Sequence, residues 1–411
     1  MEHGLKRTLG VSDAVVVGLG AMVGAGIFAA LAPAARAAGG ALLAALALAA
    51  LVAYCNAHSS ARLAARYPSS GGTYVYGRER LGPFWGHLAG WAFVIGKTAS
   101  CAAMALTVGA YVLPGHEHAV AVAAVVALTA ASYGGVQKSA RLARLIVAAV
   151  LAVLAAVVVG CLGSGAADAG RLGGGDRDLW GVVQGAGLLF FAFAGYARIT
   201  TLGEEVRDPE RTIPRAVPLA LGIALLVYAA VAVAALSVLG AEGLARSAAP
   251  LADAVRAAGL PALVPVVRVG AALAALGSLL ALVLGVSRTV LAMARDGHFP
   301  RALTAVHPRR QVPHHAELAV GAVVAVLAAT ADLRGAIGFS SFGVLVYYAI
   351  ANASAWTLGS VLKGRAVAAV GLSGCVVLAC ALPLASAVTG AAVLAAGAVA
   401  YGIRARLRSG I

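Results

Sequence analysis

The chain has 411 residues, of which 61% are hydrophobic and only 11% charged. A soluble domain carries about 25% charged residues, so the composition excludes a soluble enzyme and implies an integral membrane protein. The formal net charge of +15 would suggest nucleic acid, but the placement of the basic residues argues otherwise below. The five cysteines, Cys55, Cys101, Cys161, Cys375 and Cys380, lie in or beside apolar runs without a repeated spacing. That pattern fits small buried fillers and neither a disulfide framework nor a metal site.

The opening stretch "MEHGLKRTLG" is polar and short, and the run behind it is too long for a cleaved signal peptide. Twelve apolar runs follow, at about 13–35, 41–61, 84–112, 118–133, 142–163, 180–202, 216–240, 264–294, 317–331, 336–361, 366–383 and 385–403. A span needs about 20 apolar residues, so the runs at 118–133 and 317–331 are short. The last two are divided by little more than "ALPLAS", which suits a tight turn. The connections are too short for a separate soluble domain. The expectation is a single all-α integral membrane domain, residues 1–411, of about 12 transmembrane helices.

With the N-terminus inside, the inner connections collect most of the 31 Lys and Arg residues. Lys6, Arg7, Arg62, Arg66, Arg78, Arg80, Lys138, Arg144, Arg207, Arg211, Arg301, Arg310, Lys363 and Arg404 all fall there, against Arg36, Arg171, Arg177, Arg246, Arg256, Arg268 and Arg334 outside. This bias follows the positive-inside rule. It predicts a multi-pass protein of the cytoplasmic membrane with both termini cytoplasmic. The basic face then meets anionic lipid, and nucleic acid is not a partner.

The first run contains "VVVGLGAMVGAGIF", with Gly18, Gly20, Gly24 and Gly26 near mid-span. A glycine inside a helix costs about 0.5–1 kcal/mol relative to alanine, so the cluster needs a reason. The sixth run repeats the interruption in "GLLFFAFAGYARITTLGEEVRDPERTIPRAV", with Gly195 and then Arg198. Interrupted spans at matching positions point to an inverted-repeat transporter and its binding site. The halves would be about 13–163 and 180–361, with helices at 366–403 outside the repeat. Unwinding bares backbone N–H groups at the start of one half-helix, which favour a carboxylate. It also bares C=O groups at the end of the other, which favour an ammonium. A zwitterionic amino acid presents both. Gly20 and Gly24 also form a GxxxG, so close helix packing is an alternative reading. A dinucleotide turn is not supported, because no acidic residue follows at the required spacing.

Four motifs carry a family resemblance: "GLGAMVGAGIF", "YPSSGGTYVYGRERLGPFWGHLAGW", "FFAFAGYARITTLGEEVRDPERTIPRAV" and "LAMARDGHFPRAL". In this order and spacing they resemble the amino acid–polyamine–organocation (APC) permeases, over about residues 5–361. The resemblance implies the five-plus-five inverted-repeat (LeuT-like) fold with helices 1 and 6 broken, and secondary transport of amino acids or related amines. It implies that the amides of Gly24, Ala25 and Gly26 hold the substrate carboxylate. Ala21 and Met22 would offer carbonyls to the ammonium, as would Phe191 and Ala194 beside Gly195. Phe191 or Phe193 would be an aromatic gate. Two departures bear on coupling. Val150 stands where many relatives carry a lysine in the fifth span. Ala281 and Leu282 stand where sodium-coupled relations carry hydroxyls, with Ser278 and Ser287 offset from those positions.

Lys97, in "GWAFVIGKTASCAAMAL", is well inside the third span. A charge at mid-bilayer costs at least about 2.5–3.5 kcal/mol and is a functional hypothesis by default. It would replace the missing fifth-span cation, either by titrating a proton or by meeting a substrate carboxylate; a structural lysine is the plainer alternative. "GKT" lacks phosphate-loop spacing. Arg198 would pair with Glu204 or Glu205 or line the inner pathway, and His58 would pack between helices. The function expected is alternating-access transport of amino acids, proton-coupled or by exchange, without catalysis, cofactor or metal. A transporter of polyamines or other organic amines, and a channel, are the alternatives.

Overall fold

A computed structural model describes residues 9–68, 71–134, 140–173, 178–201, 205–310, 312–359 and 362–409. Lys6, Arg7, Lys138, Arg177 and Glu204 lie outside the described residues. The chain is built of helices α1 (Val11–Met22), α2 (Ala25–Ala29), α3 (Leu31–Ala38), α4 (Leu42–Arg66), α5 (Thr73–Leu81), α6 (Pro83–Val112), α7 (Glu117–Tyr133) and α8 (Ala140–Gly163). Then come α9 (Leu179–Phe193), α10 (Ala197–Thr200), α11 (Pro209–Arg246), α12 (Pro250–Ala257), α13 (Leu263–Arg295), α14 (His314–Thr330), α15 (Leu333–Trp356), α16 (Leu362–Ala381) and α17 (Leu384–Ser409). Among the described residues ten helical segments are long and apolar enough to cross a membrane, and the shorter apolar helices α7 and α14 correspond to the two short runs. Among the described residues no strand forms. A helix satisfies its backbone within itself, which is what a hydrocarbon solvent demands.

The first span is divided. α1 stops at Met22, and Val23 (φ −76°, ψ 35°) still donates its N–H to the Leu19 carbonyl at 2.6 Å. Gly24 (φ −90°, ψ −139°) then turns the chain into α2. Ala30 is in helical conformation, and Ala30 N–H to Gly26 O (2.8 Å) and Ala34 N–H to Ala30 O (3.1 Å) join α2 to α3. The second half of the span is therefore one helix from Ala25 to Ala38, bent where Pro33 has no N–H to donate.

The sixth span is tightened and not opened. α9 passes at Ala194–Tyr196 through a single 3₁₀ turn into α10. Ala194 keeps its N–H on the Phe190 carbonyl. The expectation of two unwound segments thus holds for the first span only, because Ala194 and Tyr196 tolerate helical geometry that the "VGAG" stretch abandons.

α2 packs against α6, α9 and α13, and α6 against α13 and α15. The break in the first span is therefore surrounded by the third, sixth and eighth spans. All five cysteines are free.

At one end of the bundle the second and fourth quoted motifs meet. The short α5 folds back on α6 behind Gly72 (φ 56°), whose missing Cβ makes room for the Tyr347 hydroxyl at 2.6 Å. Tyr74 on α5 donates its hydroxyl to the Asp296 carboxylate, and Arg78 forms an ion pair with Asp296 at 3.5 Å. Beyond α10, an isolated parallel bridge joins Leu9 to Val206. Leu9 N–H donates to Glu205 O (3.1 Å) and Arg207 N–H to Leu9 O (2.9 Å). Among the described residues following this bridge, Arg211 pairs with Asp208 at 3.7 Å.

Candidate functional site

The two interrupted spans cross backbone to backbone. A Cβ on Gly26 would stand 2.6 Å from Ala192 Cα, and one on Gly195 would stand 2.3 Å from Ala21 O. Each glycine therefore permits the other helix to approach. Gly24 faces the eighth span instead, where its Cβ would fall 2.0 Å from the Ser278 hydroxyl. Gly18 and Gly20 are packing positions, against Ile199 and Val147 respectively. Gly20 of the GxxxG is thus a packing position, and Gly24, which the GxxxG and broken-helix readings share, turns the chain and packs on Ser278.

Ala21, Met22, Ala25, Gly26, Phe191, Phe193, Ala194 and Gly195 belong to the segments that meet at this crossing, with Gly24 beside them against Ser278. Most are buried, Gly195 and Ala21 partly so. The first N–H groups of the Ala25–Ala38 helix start at its centre, and that end of a helix carries partial positive charge. The carbonyls at the end of α1 are the complementary negative end.

Three tyrosines absent from the sequence reading hold the crossing together. The Tyr228 hydroxyl, from mid-α11, lies 2.6 Å from Met22 O and 3.0 Å from Ala192 O. One phenol proton is thus shared between the first and sixth spans. Tyr348 on α15 donates to Ala194 O at 3.4 Å, and its ring stacks on Tyr196 at 5.0 Å. Tyr111 on α6 donates to Phe28 O at 3.1 Å. The available signal was a lone tyrosine within an apolar helix, since a buried phenol seeks a partner.

Lys97 reaches the same place from α6. It is 6% exposed and donates to Ala194 O at 3.3 Å. Two of the carbonyls expected to face an ammonium, those of Met22 and Ala194, therefore already receive protein donors. Phe193 is fully buried, with its ring edge-on to Tyr228 at 5.1 Å. Phe191 is nearly buried beside it in sequence.

The remaining candidates lie apart. Arg198 is exposed, and among the described residues no carboxylate stands within ion-pair distance of it. His58 is half-buried and stacks on Tyr54. Val150 is buried in α8, and Ser287 bonds to Val283 O at 2.7 Å within its own helix. A cavity of about 560 Å³ opens between α6, α13, α14, α15 and α17, lined by apolar side chains such as Trp91, Ile95 and Phe339. It shares no residue with the crossing.

Comparison with known proteins shows the family. The amino acid permease family model matches residues 13–402. An uncharacterized transporter of Mycobacterium tuberculosis is 72% identical, over 97% of this chain and 92% of its own. The human cationic amino acid transporter 4 is 30% identical over 85% of this chain and 59% of its own. A branched-chain amino acid permease of Bacillus subtilis is 26% identical over 84% and 79%. With its many membrane-spanning helices and a model match over nearly its whole length, the chain is a multi-pass membrane transporter, not an enzyme, and belongs to the amino acid permease family.

Proposed function

We propose that the chain carries amino acids across the cytoplasmic membrane by alternating access, and binds them where the first and sixth spans cross. The backbone-to-backbone contact of Gly26 with Ala192 and of Gly195 with Ala21 carries this reading. It sets a fresh helix start beside a set of helix-end carbonyls at one point in the bundle. In this proposal the amides of Gly24, Ala25 and Gly26 take the substrate carboxylate. The carbonyls of Ala21 and Phe191, with shares of Met22 and Ala194, take the ammonium. Phe191 covers the bound molecule. Residues 13–163 and 180–361 act as inverted repeats that rock against one another, with both termini cytoplasmic. Transport is proton-coupled or proceeds by exchange. The names of the amino acid transporters among the relatives support the substrate class.

Counterflow in proteoliposomes tests the proposal. Saturable exchange of a labelled amino acid is expected, and Gly26→Leu should abolish it in protein that still inserts. Unsaturable current without exchange would make the chain a channel and overturn the reading.

A further inference from the structure

The helices that form the crossing carry an unbalanced inventory of charge. α2, α3, α6, α9, α10, α13 and α15 contain no Asp or Glu at all. α1 contains Asp13 in its first turn, held by Arg144 at 2.6 Å, and α11 carries acidic groups only towards its ends, Glu210 in its first turn and Glu242 paired with Arg246 at 3.5 Å. Against this, Lys97 places an ammonium at the crossing, where among the described residues it donates to the neutral Ala194 carbonyl at 3.3 Å. A carbonyl dipole leaves the full charge uncompensated, and uncompensated charge in a bilayer interior is what membrane proteins avoid. The nearby hydroxyls of α6 do not compensate it either. Thr98 and Thr107 donate to their own helix backbone at 2.7 Å each, and Ser100 pairs with Ser340 at 2.6 Å.

We propose that the missing counter-ion arrives with the substrate, and that this permease binds an acidic amino acid whose side-chain carboxylate meets Lys97. The inference rests on the proposed binding of an amino acid at the crossing and names its class. A zwitterion brings no net charge, so a neutral amino acid leaves the loaded site at the charge Lys97 gave it. A cationic amino acid adds a second positive charge, and none of α2, α3, α6, α9, α10, α13 and α15 carries a carboxylate to receive it; like charges brought together across a binding site are strongly disfavoured. An acidic amino acid alone makes the loaded site neutral, the state best suited to crossing a low-dielectric bundle. Its α-carboxylate still has the Gly24–Gly26 amides, and its side chain draws Lys97 away from Ala194 O, where the α-ammonium takes the lysine's place beside Tyr348. The substrate thus exchanges places with the lysine at one backbone oxygen. This sets the chain apart from relatives named for cationic amino acids.

The test is a panel of aspartate, glutamate, alanine, leucine, arginine and lysine. Each is titrated against the purified protein by its thermal unfolding midpoint, then used to compete in counterflow. Aspartate or glutamate should act at concentrations at least about tenfold below arginine and lysine. Lys97→Gln should erase that preference, and Lys97→Arg, which keeps the charge, should retain it. Arginine or lysine acting as well as glutamate on the wild type would overturn the proposal. So would acidic selectivity that survives Lys97→Gln, or neutral amino acids acting where acidic ones do not. Should Lys97→Gln fail to fold, the wild-type panel alone decides. Silence of all six compounds in both assays would instead defeat the amino acid reading on which the proposal rests.

Discussion

Tyr228→Phe removes one oxygen from the middle of the molecule and little else. The ring stays, so its edge-on contact with Phe193 at 5.1 Å is kept and no sizeable cavity forms. The hydroxyl it removes lies 2.6 Å from Met22 O and 3.0 Å from Ala192 O. Interhelical hydrogen bonds in membrane proteins average about 0.6 kcal/mol. Met22 lies at the end of α1, where its carbonyl has lost the next helical turn, so the variant leaves it without a donor in a buried place. An unsatisfied buried polar group costs about 1–3 kcal/mol. Taking the Ala192 bond as nearly neutral and the Met22 carbonyl as the main loss gives about 1.5 kcal/mol. At about 2.1 cal/mol/K per residue of unfolding entropy, a chain of 411 residues should show a fall of about 2 °C in its unfolding midpoint. The assay is thermal unfolding of the purified protein in one detergent, wild type beside variant, with uptake followed in parallel. Uptake should fall, because the first and sixth spans lose their shared tie. A variant with unchanged midpoint and unchanged uptake would refute the claim that Tyr228 fastens them.

Gly195→Ala and Gly18→Ala make an informative pair. The new methyl meets the Ala21 backbone at 2.3 Å in the first and the flexible end of Ile199 at 2.3 Å in the second. A side-chain tip can move and a crossing backbone cannot, so Gly195→Ala should lose folded yield or transport while Gly18→Ala keeps both; equal tolerance would refute the close crossing. Tyr74, on the short helix α5, has its phenol held well above the ordinary value of 10 by burial, and then by the hydrogen bond to Asp296 and its charge. A raised phenol means that the folded state holds the proton more tightly. The stability it contributes is complete below about pH 10 and lost as pH rises further. Unfolding midpoints from pH 8 to 11 should fall more steeply for wild type than for Tyr74→Phe, and parallel curves would contradict this.

The run of apolar segments, their order and the two interrupted spans could be read directly, because hydrocarbon enforces length and periodicity within each helix. The short runs became the 17-residue helices α7 and α14 for the same local reason. The interruptions themselves were visible as glycine, but their purpose was not. Gly26 and Gly195 serve the approach of another backbone, a relation between residues far apart in sequence that no local pattern encodes. The sixth span looked as broken as the first, yet it holds a 3₁₀ turn, since one glycine among alanines and aromatics does not oblige a helix to open. Tyr228 and Tyr348 escaped notice because each resembles ordinary filler until its partner carbonyl is placed beside it. Lys97 was found because charge is conspicuous in an apolar run; its position on Ala194 O required the fold.

The bridge between Leu9 and Val206 makes the beginning of the first span and the loop beyond the sixth a single mechanical piece. A force applied at one is felt at the other without passing through the bundle. Spectroscopic labels beside Leu9 and Val206 are expected to keep their separation while the bundle moves around them, which suits them as a reference frame. A label on α5 would report displacement against that frame. For the same reason a bulky tag fused immediately ahead of Leu9 would load this piece directly, and one placed after α17 would not.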